Sequence, residues 1–237
     1  MGRETVAEEG GSLPESLWVV IAAYNEHRRI GAVLEDLLQI AKNVVVVDDG
    51  SRDDTAQEVL RHPVWLLRHA ANLGQGASLQ TGISFAIRQG AERIVTFDAD
   101  GQHDPADIRT MLDALNSNAA DYALGSRFLG GAADIPFFRK LVLRSAVLFT
   151  RALSGVSLTD AHNGIRLMTR KGAERIRITL NRMEHASEIV EQIAASGLKY
   201  VEVPVHIKYT ADSLAKGQKS SAAIVLAIKL LIEKVVR

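Results

Sequence analysis

The sequence predicts an α/β protein with a mixed, mostly parallel sheet flanked by helices in a single domain. Short apolar runs of strand length alternate with segments of helical periodicity, which is typical of right-handed β–α–β units. Several of these runs end in acidic residues, at the position where parallel sheets bind their ligands. A chain of 237 residues is long enough to bury a sizeable core in one large domain.

The first half of the chain is predicted to contain four strands joined by helices. Residues 18–23 form a continuous apolar run, as in a buried parallel strand, and residues 44–47 are β-branched throughout. Residues 28–40 carry apolar side chains at helical spacing. The remaining predicted elements of this half are a helix that begins at 53–55, a strand at 64–67, a helix at 77–89 and a strand at 93–97.

The second half is predicted to add further helices and two strands. Asp104 and Pro105 are the cap and first turn of a helix that reaches residue 115. Pro204 places the strand at 200–205 on a sheet edge, since proline cannot donate to a ladder. The other predicted elements are a strand at 122–125 and helices at 136–153, 183–195 and 221–237. The predicted divisions are a disordered tail (1–16), the α/β domain (17–210), a polar loop (211–220) and a C-terminal amphipathic helix (221–237).

Composition narrows the classes of function. The formal net charge is zero, which gives no support to nucleic-acid binding. The chain has no cysteine, so disulfides and thiolate sites are excluded. The first residues lack the apolar region of a signal peptide, and no uncharged apolar run approaches the ~20 residues of a spanning helix. We therefore expect a cytoplasmic protein whose membrane contact is peripheral, on the cytoplasmic face.

An acidic stretch, residues 98–102, follows the predicted strand at 93–97. Unpaired carboxylates are costly inside a core, but at the carboxyl end of a strand they are suitable ligands for a substrate or a metal. Asp98, Asp100 and Gln102 offer several oxygens on one turn, which suits Mg²⁺ or Mn²⁺. A solvated acidic loop before a helix cap is the alternative interpretation of this stretch taken alone.

Four motifs together resemble the family-2 glycosyltransferases of the GT-A fold, a Rossmann-like fold. The motifs are Ala23-Tyr24-Asn25-Glu26, Val47-Asp48-Asp49-Gly50-Ser51, Asn72-Leu73-Gly74-Gln75-Gly76 and Asp98-Ala99-Asp100-Gly101-Gln102. Within that family the chain is most similar to the branch of dolichyl-phosphate and polyprenyl-phosphate sugar transferases. The resemblance implies a nucleotide-sugar donor, a divalent cation (Mg²⁺ or Mn²⁺), inversion at the anomeric carbon and a lipid-phosphate acceptor for cell-envelope glycan synthesis.

The resemblance also assigns residues to the donor and the metal. Tyr24, Glu26 and Asp49 match positions that contact the base and ribose. Asp98 and Asp100 match the acidic pair that meets the ribose, metal and diphosphate. The implied sets are Ala22, Tyr24, Glu26, Asp49, Gly76, Asp98, Ala99 and Lys216 for the nucleotide sugar, and Asp98, Asp100 and Gln102 for the metal.

Two residues depart from the family pattern. Ala22 stands where a proline is usual, and Gln75 stands where a lysine is frequent between two glycines. The second departure removes a positive charge and puts a phosphate role of that loop in doubt; a tight turn with a glycine cap is the alternative. The loop at 211–220 resembles a mobile segment that closes over the donor, with Lys216 or Lys219 reaching the diphosphate, and a flexible linker is its alternative.

On the acceptor side, the resemblance implies that Arg127, Arg144 and Arg166 bind a phosphate. A lipid phosphate, with a second pKa of about 6, is already anionic near neutral pH and needs cations to position it rather than a strong base. A sugar hydroxyl would instead need a carboxylate base, for which Glu188 is the candidate. The predicted catalytic residues are Asp98, Asp100, Glu188 and Arg127.

Two other functions stay open from the sequence: a glycosyltransferase that extends a saccharide of the O-antigen or capsule type, and a nucleotide-sugar-binding domain without catalysis. The intact acidic motif argues against the second.

The helices at 136–153 and 221–237 are amphipathic and suited to a membrane surface, although packing on the domain is the alternative. Many relatives continue into transmembrane helices where this chain stops, and we hypothesise that a separate membrane protein supplies that part.

Overall fold

The computed structural model describes residues 12–129, 158–160, 163–182 and 184–208. Within these residues the strands are β1 (Leu17–Ala23), β2 (Asn43–Asp48), β3 (Trp65–Arg68), β4 (Arg93–Asp98), β5 (Tyr122–Ser126), β6 (Arg166–Thr169) and β7 (Tyr200–Pro204). The helices are α1 (His27–Leu38), α2 (Thr55–Val59), α3 (Gln75–Arg88), α4 (Asp107–Ser117), α5 (Arg170–Ala173) and α6 (His185–Ser196).

The strands of the described residues form one seven-stranded sheet in the order β3-β2-β1-β4-β6-β5-β7. Strands β3, β2, β1 and β4 run parallel to one another, and β7 runs parallel to β5. Strand β6 lies antiparallel between β4 and β5. The sheet is therefore mixed and mostly parallel, as predicted, and the carboxyl ends of β1, β2 and β4 lie side by side.

Helices cover both faces of the sheet, which explains why the central strands are apolar throughout. In β1, Val19 packs in the layer that contains α1 and α4, whereas Val20 packs in the layer that contains α3 and α6. Helix α1 contributes Ile30, Leu34 and Leu37, which lie on one face at helical spacing. Removal of these side chains from water on both faces is the main driving force for the fold.

The segment before β1 is more ordered than predicted. Leu13 is 3% exposed, and its amide N donates to the carbonyl oxygen of Ile40 at 2.7 Å. Glu15 forms an ion pair with Lys42 at 2.6 Å. The predicted disordered tail, residues 1–16, is therefore corrected at its end, because the apolar side chain of Leu13 belongs to the core; residues 1–11 lie outside the described residues.

Strand β6 has no counterpart among the predicted elements. This strand has only four residues and begins with the charged Arg166, so the sequence gives no clear strand signal there. Strand β7 occupies a sheet edge, as Pro204 predicts.

None of the helices in the described part of the chain is both long and apolar enough to cross a bilayer. The predicted helices at 136–153 and 221–237 and the loop at 211–220 lie outside the described residues.

Candidate active site

Parallel pairing of β1, β2 and β4 brings the acidic strand ends together. Ala23 pairs with Asp48 at the end of β2, and Ala22 pairs with Asp98 at the end of β4. The loops that follow these three strands therefore leave the sheet at the same end, where open α/β sheets bind ligands. These loops carry Glu26, Asp49 and Asp100.

The carboxylate of Asp98 is bound by the protein through both oxygens. Gln75 Nε2 donates to Oδ1 at 3.1 Å, and His103 Nε2 lies 3.0 Å from Oδ2. His103 is only 6% exposed, and its ring packs edge-on against Phe97 with the ring centroids 5.5 Å apart. The orientation of Asp98 is thus set before any ligand binds.

Gly164 approaches the same carboxylate through its main chain. A Cβ atom at Gly164 would lie 2.1 Å from Oδ2 of Asp98, a distance that no side chain can tolerate. The carbonyl oxygen of Gly164 accepts a hydrogen bond from Thr96 Oγ1 at 2.8 Å, which joins this loop to β4. A glycine is therefore needed here to leave room for Asp98.

Asp98 and Asp100 differ in their electrostatic environments. Burial raises the pKa of Asp98, but the hydrogen bond and charge of His103, together with the charge of Arg166, outweigh burial and hold this pKa below its usual value. Burial, and then the negative charge of Asp98, raise the pKa of Asp100. The two carboxylates repel one another, and a cation between them would relieve that repulsion.

The donor atoms of this acidic loop fit a hard divalent cation. Asp100 Oδ1 accepts a hydrogen bond from the Gln102 backbone amide at 3.0 Å, and the Gln102 side-chain amide contacts Oδ2. Among the described residues, no three His, Asp or Glu side chains form a metal cluster. The protein would thus supply two carboxylates and an amide, leaving coordination positions for phosphate oxygens, as is common for Mg²⁺.

The loop after β1 is joined to the loop after β2 by side-chain hydrogen bonds. The Asn25 amide donates to Ser51 Oγ at 3.0 Å, and the Arg52 amide donates to Asn25 Oδ1 at 2.9 Å. Tyr24 is 41% exposed beside this junction, whereas the side chain of Glu26 is 16% exposed. The structure places both residues at the ligand-binding end of the sheet; their contacts with base and ribose stay predictions.

Asp49 is buried and already bonded to the protein. Its carboxylate accepts hydrogen bonds from the amides of Leu73 at 3.0 Å and Gly74 at 2.7 Å, and His69 Nδ1 lies 2.8 Å from Oδ1. Burial raises the pKa of Asp49, but these hydrogen bonds outweigh it and lower the pKa below its usual value. In this structure Asp49 fixes the loop before α3, while its predicted contact with the donor stays a prediction.

The glycines of this loop are explained by close packing. A Cβ atom at Gly74 would lie 2.0 Å from the Asn181 carbonyl oxygen, and one at Gly76 would lie 2.1 Å from the Leu180 carbonyl oxygen. The Gly76 amide donates to the Asn181 carbonyl oxygen at 3.1 Å. Gly76 therefore has a packing role in this structure, and its predicted contact with the nucleotide sugar stays a prediction.

Strand β6 brings Arg166 into the centre of the sheet, where it pairs with Thr96 of β4 and Leu124 of β5. Arg166 is 4% exposed, and its buried Nη2 has no hydrogen-bond partner among the described residues. Burial lowers the pKa of Arg166, opposed by the charges of Asp98 and Asp160. A buried guanidinium with an unused donor is suited to binding an oxygen of a ligand.

Arg127 follows β5 and is oriented by Asp160. The backbone amide and Nε of Arg127 both donate to Asp160 Oδ2, at 3.1 Å and 2.6 Å. Asn163 Nδ2 donates to the same oxygen at 3.2 Å. Arg127 and Asp160 therefore form a charged pair at the end of β5, in addition to the acidic pair at the end of β4. Arg144, the other predicted phosphate ligand, lies outside the described residues.

Glu188, on the first turn of α6, accepts several hydrogen bonds. The Thr179 amide lies 3.0 Å from both carboxylate oxygens, and the Leu180 amide donates to Oε2 at 2.9 Å. The Thr179 hydroxyl donates to Oε1 at 2.5 Å. Glu188 thus fixes the segment that packs against the glycine loop, and its predicted role as a base stays a prediction.

The segment after β7 crosses the acidic loop. The Lys208 amide donates to the Gln102 carbonyl oxygen at 2.8 Å, and Ile207 forms an isolated antiparallel bridge with His103. The chain therefore reaches the acidic loop at residue 208. Lys216, which was predicted to reach the diphosphate, lies outside the described residues.

Three residues that touch this site have no role in the sequence prediction: His103, Gly164 and His185. The signal for His103 is its position next to the predicted ligand Gln102. For Gly164 the Asn163-Gly164 pair indicates a turn, and nothing in the sequence says that a carboxylate lies against it. Such contacts between distant segments are visible only in the fold.

The model of glycosyl transferase family 2 matches residues 18–177, and the chain belongs to this family. It is therefore a glycosyltransferase, and its mixed sheet with flanking helices is the GT-A fold that the motifs imply.

Two curated relatives support the polyprenyl-phosphate branch. A UDP-N-acetylglucosamine–dolichyl-phosphate N-acetylglucosaminyltransferase of Methanococcus voltae is 28% identical, over 92% of this chain and 96% of the relative. A polyprenol monophosphomannose synthase of Mycolicibacterium smegmatis is 30% identical, over 87% of this chain and 82% of the relative.

A solved structure supports the fold. Glucosyl-3-phosphoglycerate synthase of Mycobacterium tuberculosis, in complex with Mn²⁺, UDP-glucose and phosphoglyceric acid, matches with a TM-score of 0.60 at 17% identity. The match covers 89% of this chain and 78% of that one.

Proposed function

We propose that this glycosyltransferase moves a sugar, with inversion, from a nucleoside-diphosphate sugar to a polyprenyl or dolichyl phosphate, with Mg²⁺ or Mn²⁺ as cofactor. The observation that carries the proposal is the buried Arg166, whose charge acts on both Asp98 and Asp160. A cation beside the acidic loop suits an anionic acceptor close to an anionic leaving group. The names of the two curated relatives support the same assignment, since one names a dolichyl phosphate and the other a polyprenol monophosphomannose.

The donor half requires stabilisation of the departing nucleoside diphosphate. A divalent cation bound by Asp98, Asp100 and Gln102 would act there as a Lewis acid. The contribution of the chain is preorganisation, since Gln75 and His103 fix Asp98 through both of its oxygens. The acidic loop then need not reorganise as charge develops on the leaving group.

The acceptor half requires positioning rather than proton removal. A phosphate monoester with a second pKa of about 6 is already a nucleophile at neutral pH. Arg127, oriented by Asp160, and Arg166 are the described cations proposed to place it in line with the anomeric carbon. Arg144 and Lys216 complete the proposed set of phosphate ligands.

A saccharide hydroxyl as acceptor would need Glu188 as its base. In this structure the carboxylate of Glu188 accepts hydrogen bonds from Thr179 and Leu180, so a substrate hydroxyl would have to displace one of them. This arrangement favours the phosphate acceptor. Because that acceptor is a lipid, we also propose peripheral association with the cytoplasmic face of a membrane, with a separate membrane protein as partner.

Paired variants test the acceptor. Arg127→Gln should reduce transfer of radiolabelled sugar to polyprenyl phosphate about 10- to 100-fold, the value of a lost charged hydrogen bond of about 1.5–3 kcal/mol. Glu188→Gln should reduce it far less. Arg61→Gln is the matched control, since Arg61 is exposed and forms its ion pair with Glu58, three residues before it.

Three results would contradict the proposal. One is activity on a saccharide acceptor that Glu188→Gln abolishes and Arg127→Gln spares. Another is activity that survives both a chelator and Asp100→Asn, which would remove the metal from the mechanism. The third is wild-type protein that binds no nucleotide, which would favour a domain without catalysis.

A further inference from the structure

Asn25, in the loop between β1 and α1, has a backbone conformation that few residue types adopt readily. Its φ is +55°, in the left-handed region, and Ala119 is the other non-glycine residue of the described chain with a positive φ. Most side chains are strained in this region, whereas the short polar side chain of asparagine tolerates it. The shape of the loop after β1 therefore depends on the residue type at position 25.

Two hydrogen bonds hold Asn25 against the loop after β2. The Asn25 amide donates to Ser51 Oγ at 3.0 Å, and Asn25 Oδ1 accepts a hydrogen bond from the Arg52 amide at 2.9 Å. The backbone of Asn25 thus supplies a donor and its side chain supplies an acceptor. Alanine at this position would lose the acceptor and be strained, whereas glycine would lose only the acceptor.

The loop after β2 is itself fixed from the core. The Ser51 amide donates to Oδ1 of Asp48 at 3.0 Å, and Arg68 Nε donates to Oδ2 of the same carboxylate at 3.0 Å. Asp48 is completely buried at the end of β2. Ser51 therefore offers Asn25 a support whose position is set by the sheet.

The junction between the two loops continues to the start of α1. The Glu26 amide donates at 2.9 Å to Oγ1 of Thr55, a buried residue that begins α2. Tyr24 and Glu26, which flank Asn25, are the residues assigned to the base and ribose of the donor, and Asp49 on the second loop shares that assignment. The hydrogen bonds of Asn25 therefore set the distance between the two loops that carry these residues.

We propose, on the basis of the function above, that Asn25 is a positioning residue for the nucleoside part of the donor. It joins the two loops, and so holds Tyr24 and Glu26 in their binding arrangement before the donor arrives. A loop that also populates other arrangements binds with an apparent Kd that rises as the competent fraction falls. Loss of the junction should therefore weaken nucleotide binding and leave the acceptor side unchanged.

The test combines calorimetry with steady-state kinetics. Calorimetry of the wild-type chain with UDP, GDP and dTDP, each in the presence of Mn²⁺, first identifies the base. Asn25→Ala, which loses the acceptor and is strained, should raise the Kd of that diphosphate about tenfold, and Asn25→Gly should raise it about threefold. The KM for polyprenyl phosphate should stay at the wild-type value in both variants.

Two further variants make the result interpretable. Ser51→Ala removes the bond to the Asn25 amide and keeps the Asn25 side chain, so it should also raise the Kd about threefold. Ser196→Ala is the matched control, because Ser196 Oγ accepts from the Leu198 amide at 3.1 Å in the turn that leads from α6 to the start of β7, away from the carboxyl ends of the strands. It should lower the melting temperature without changing the Kd.

The outcomes separate this proposal from the one before it. An unchanged Kd in Asn25→Ala, or an equal rise in Ser196→Ala, would overturn the role of Asn25 while leaving the glycosyltransferase proposal in place. A rise in both Asn25 variants that Ser51→Ala does not reproduce would overturn it too, by making Asn25 a direct ligand. If Asn25→Ala does not fold, Asn25→Gly and Ser51→Ala carry the same comparison. Wild-type protein that binds no nucleoside diphosphate would overturn both proposals.

Discussion

Substitution of Gly164 by alanine should displace the carboxylate of Asp98. The added Cβ would lie 2.1 Å from Oδ2, 2.6 Å from Cγ and 2.7 Å from Oδ1 of Asp98. Since non-bonded carbon and oxygen atoms approach to about 3.2 Å, the carboxylate or the loop must move by about 1 Å. That movement would strain the contacts of Asp98 with His103 and Gln75, which are 3.0 Å and 3.1 Å long.

A shift of this size is large for a catalytic carboxylate. We expect Gly164→Ala to cost about 1–3 kcal/mol of stability through overpacking and to lower sugar transfer about 100-fold. The assays are thermal melting and initial rates at saturating Mn²⁺. Gly172→Ala, on α5, is the matched control, because its Cβ would lie 2.9 Å from the carbonyl oxygen of Asp121, which directly precedes β5, rather than against the acidic loop.

Gly172→Ala should therefore lose stability but keep its nucleotide affinity. If Gly164→Ala retains wild-type rates and metal-dependent nucleotide binding, the inference that Gly164 positions Asp98 is refuted. If both variants lose activity in proportion to their stability, the effect is general overpacking and has no connection with the site.

Two further predictions concern the loops around the site. Asp49→Asn should destabilise the fold by about 1–3 kcal/mol, because an amide cannot accept all the hydrogen bonds that Asp49 accepts; an unchanged urea midpoint would contradict this. The hydrogen bond and charge of Asp107 raise the pKa of His206, so their stabilising effect is complete below the unfolded pKa of about 6.5 and is lost as the pH rises through the raised folded value. His206→Gln should thus lower the melting temperature at about pH 5.5 and not at about pH 9, and an equal effect at both would refute the pairing.

Most elements of the sheet could be predicted because local sequence is sufficient to specify them. Residues 44–47 are β-branched and apolar, and they form most of β2. Strand β6 could not be predicted in the same way, because it is short and begins with the charged Arg166, which pairs with residues of β4 and β5. The tail boundary was wrong for a similar reason, since the burial of Leu13 depends on α1 and the chain that follows it.

The sequence by itself determined which chemistry is present: carboxylates at the ends of parallel strands, an amide beside them and arginines further along the chain. These follow from residue type and spacing, which are local properties. Only the tertiary structure decided which partner each group has. Asp98 is fixed by Gln75, His103 and Gly164, which come from three separate segments, and Asp49, which was expected to contact the donor, accepts hydrogen bonds from the loop before α3. Contacts between distant segments depend on sheet order and on the space left by glycine, and neither is a property of any single stretch of sequence.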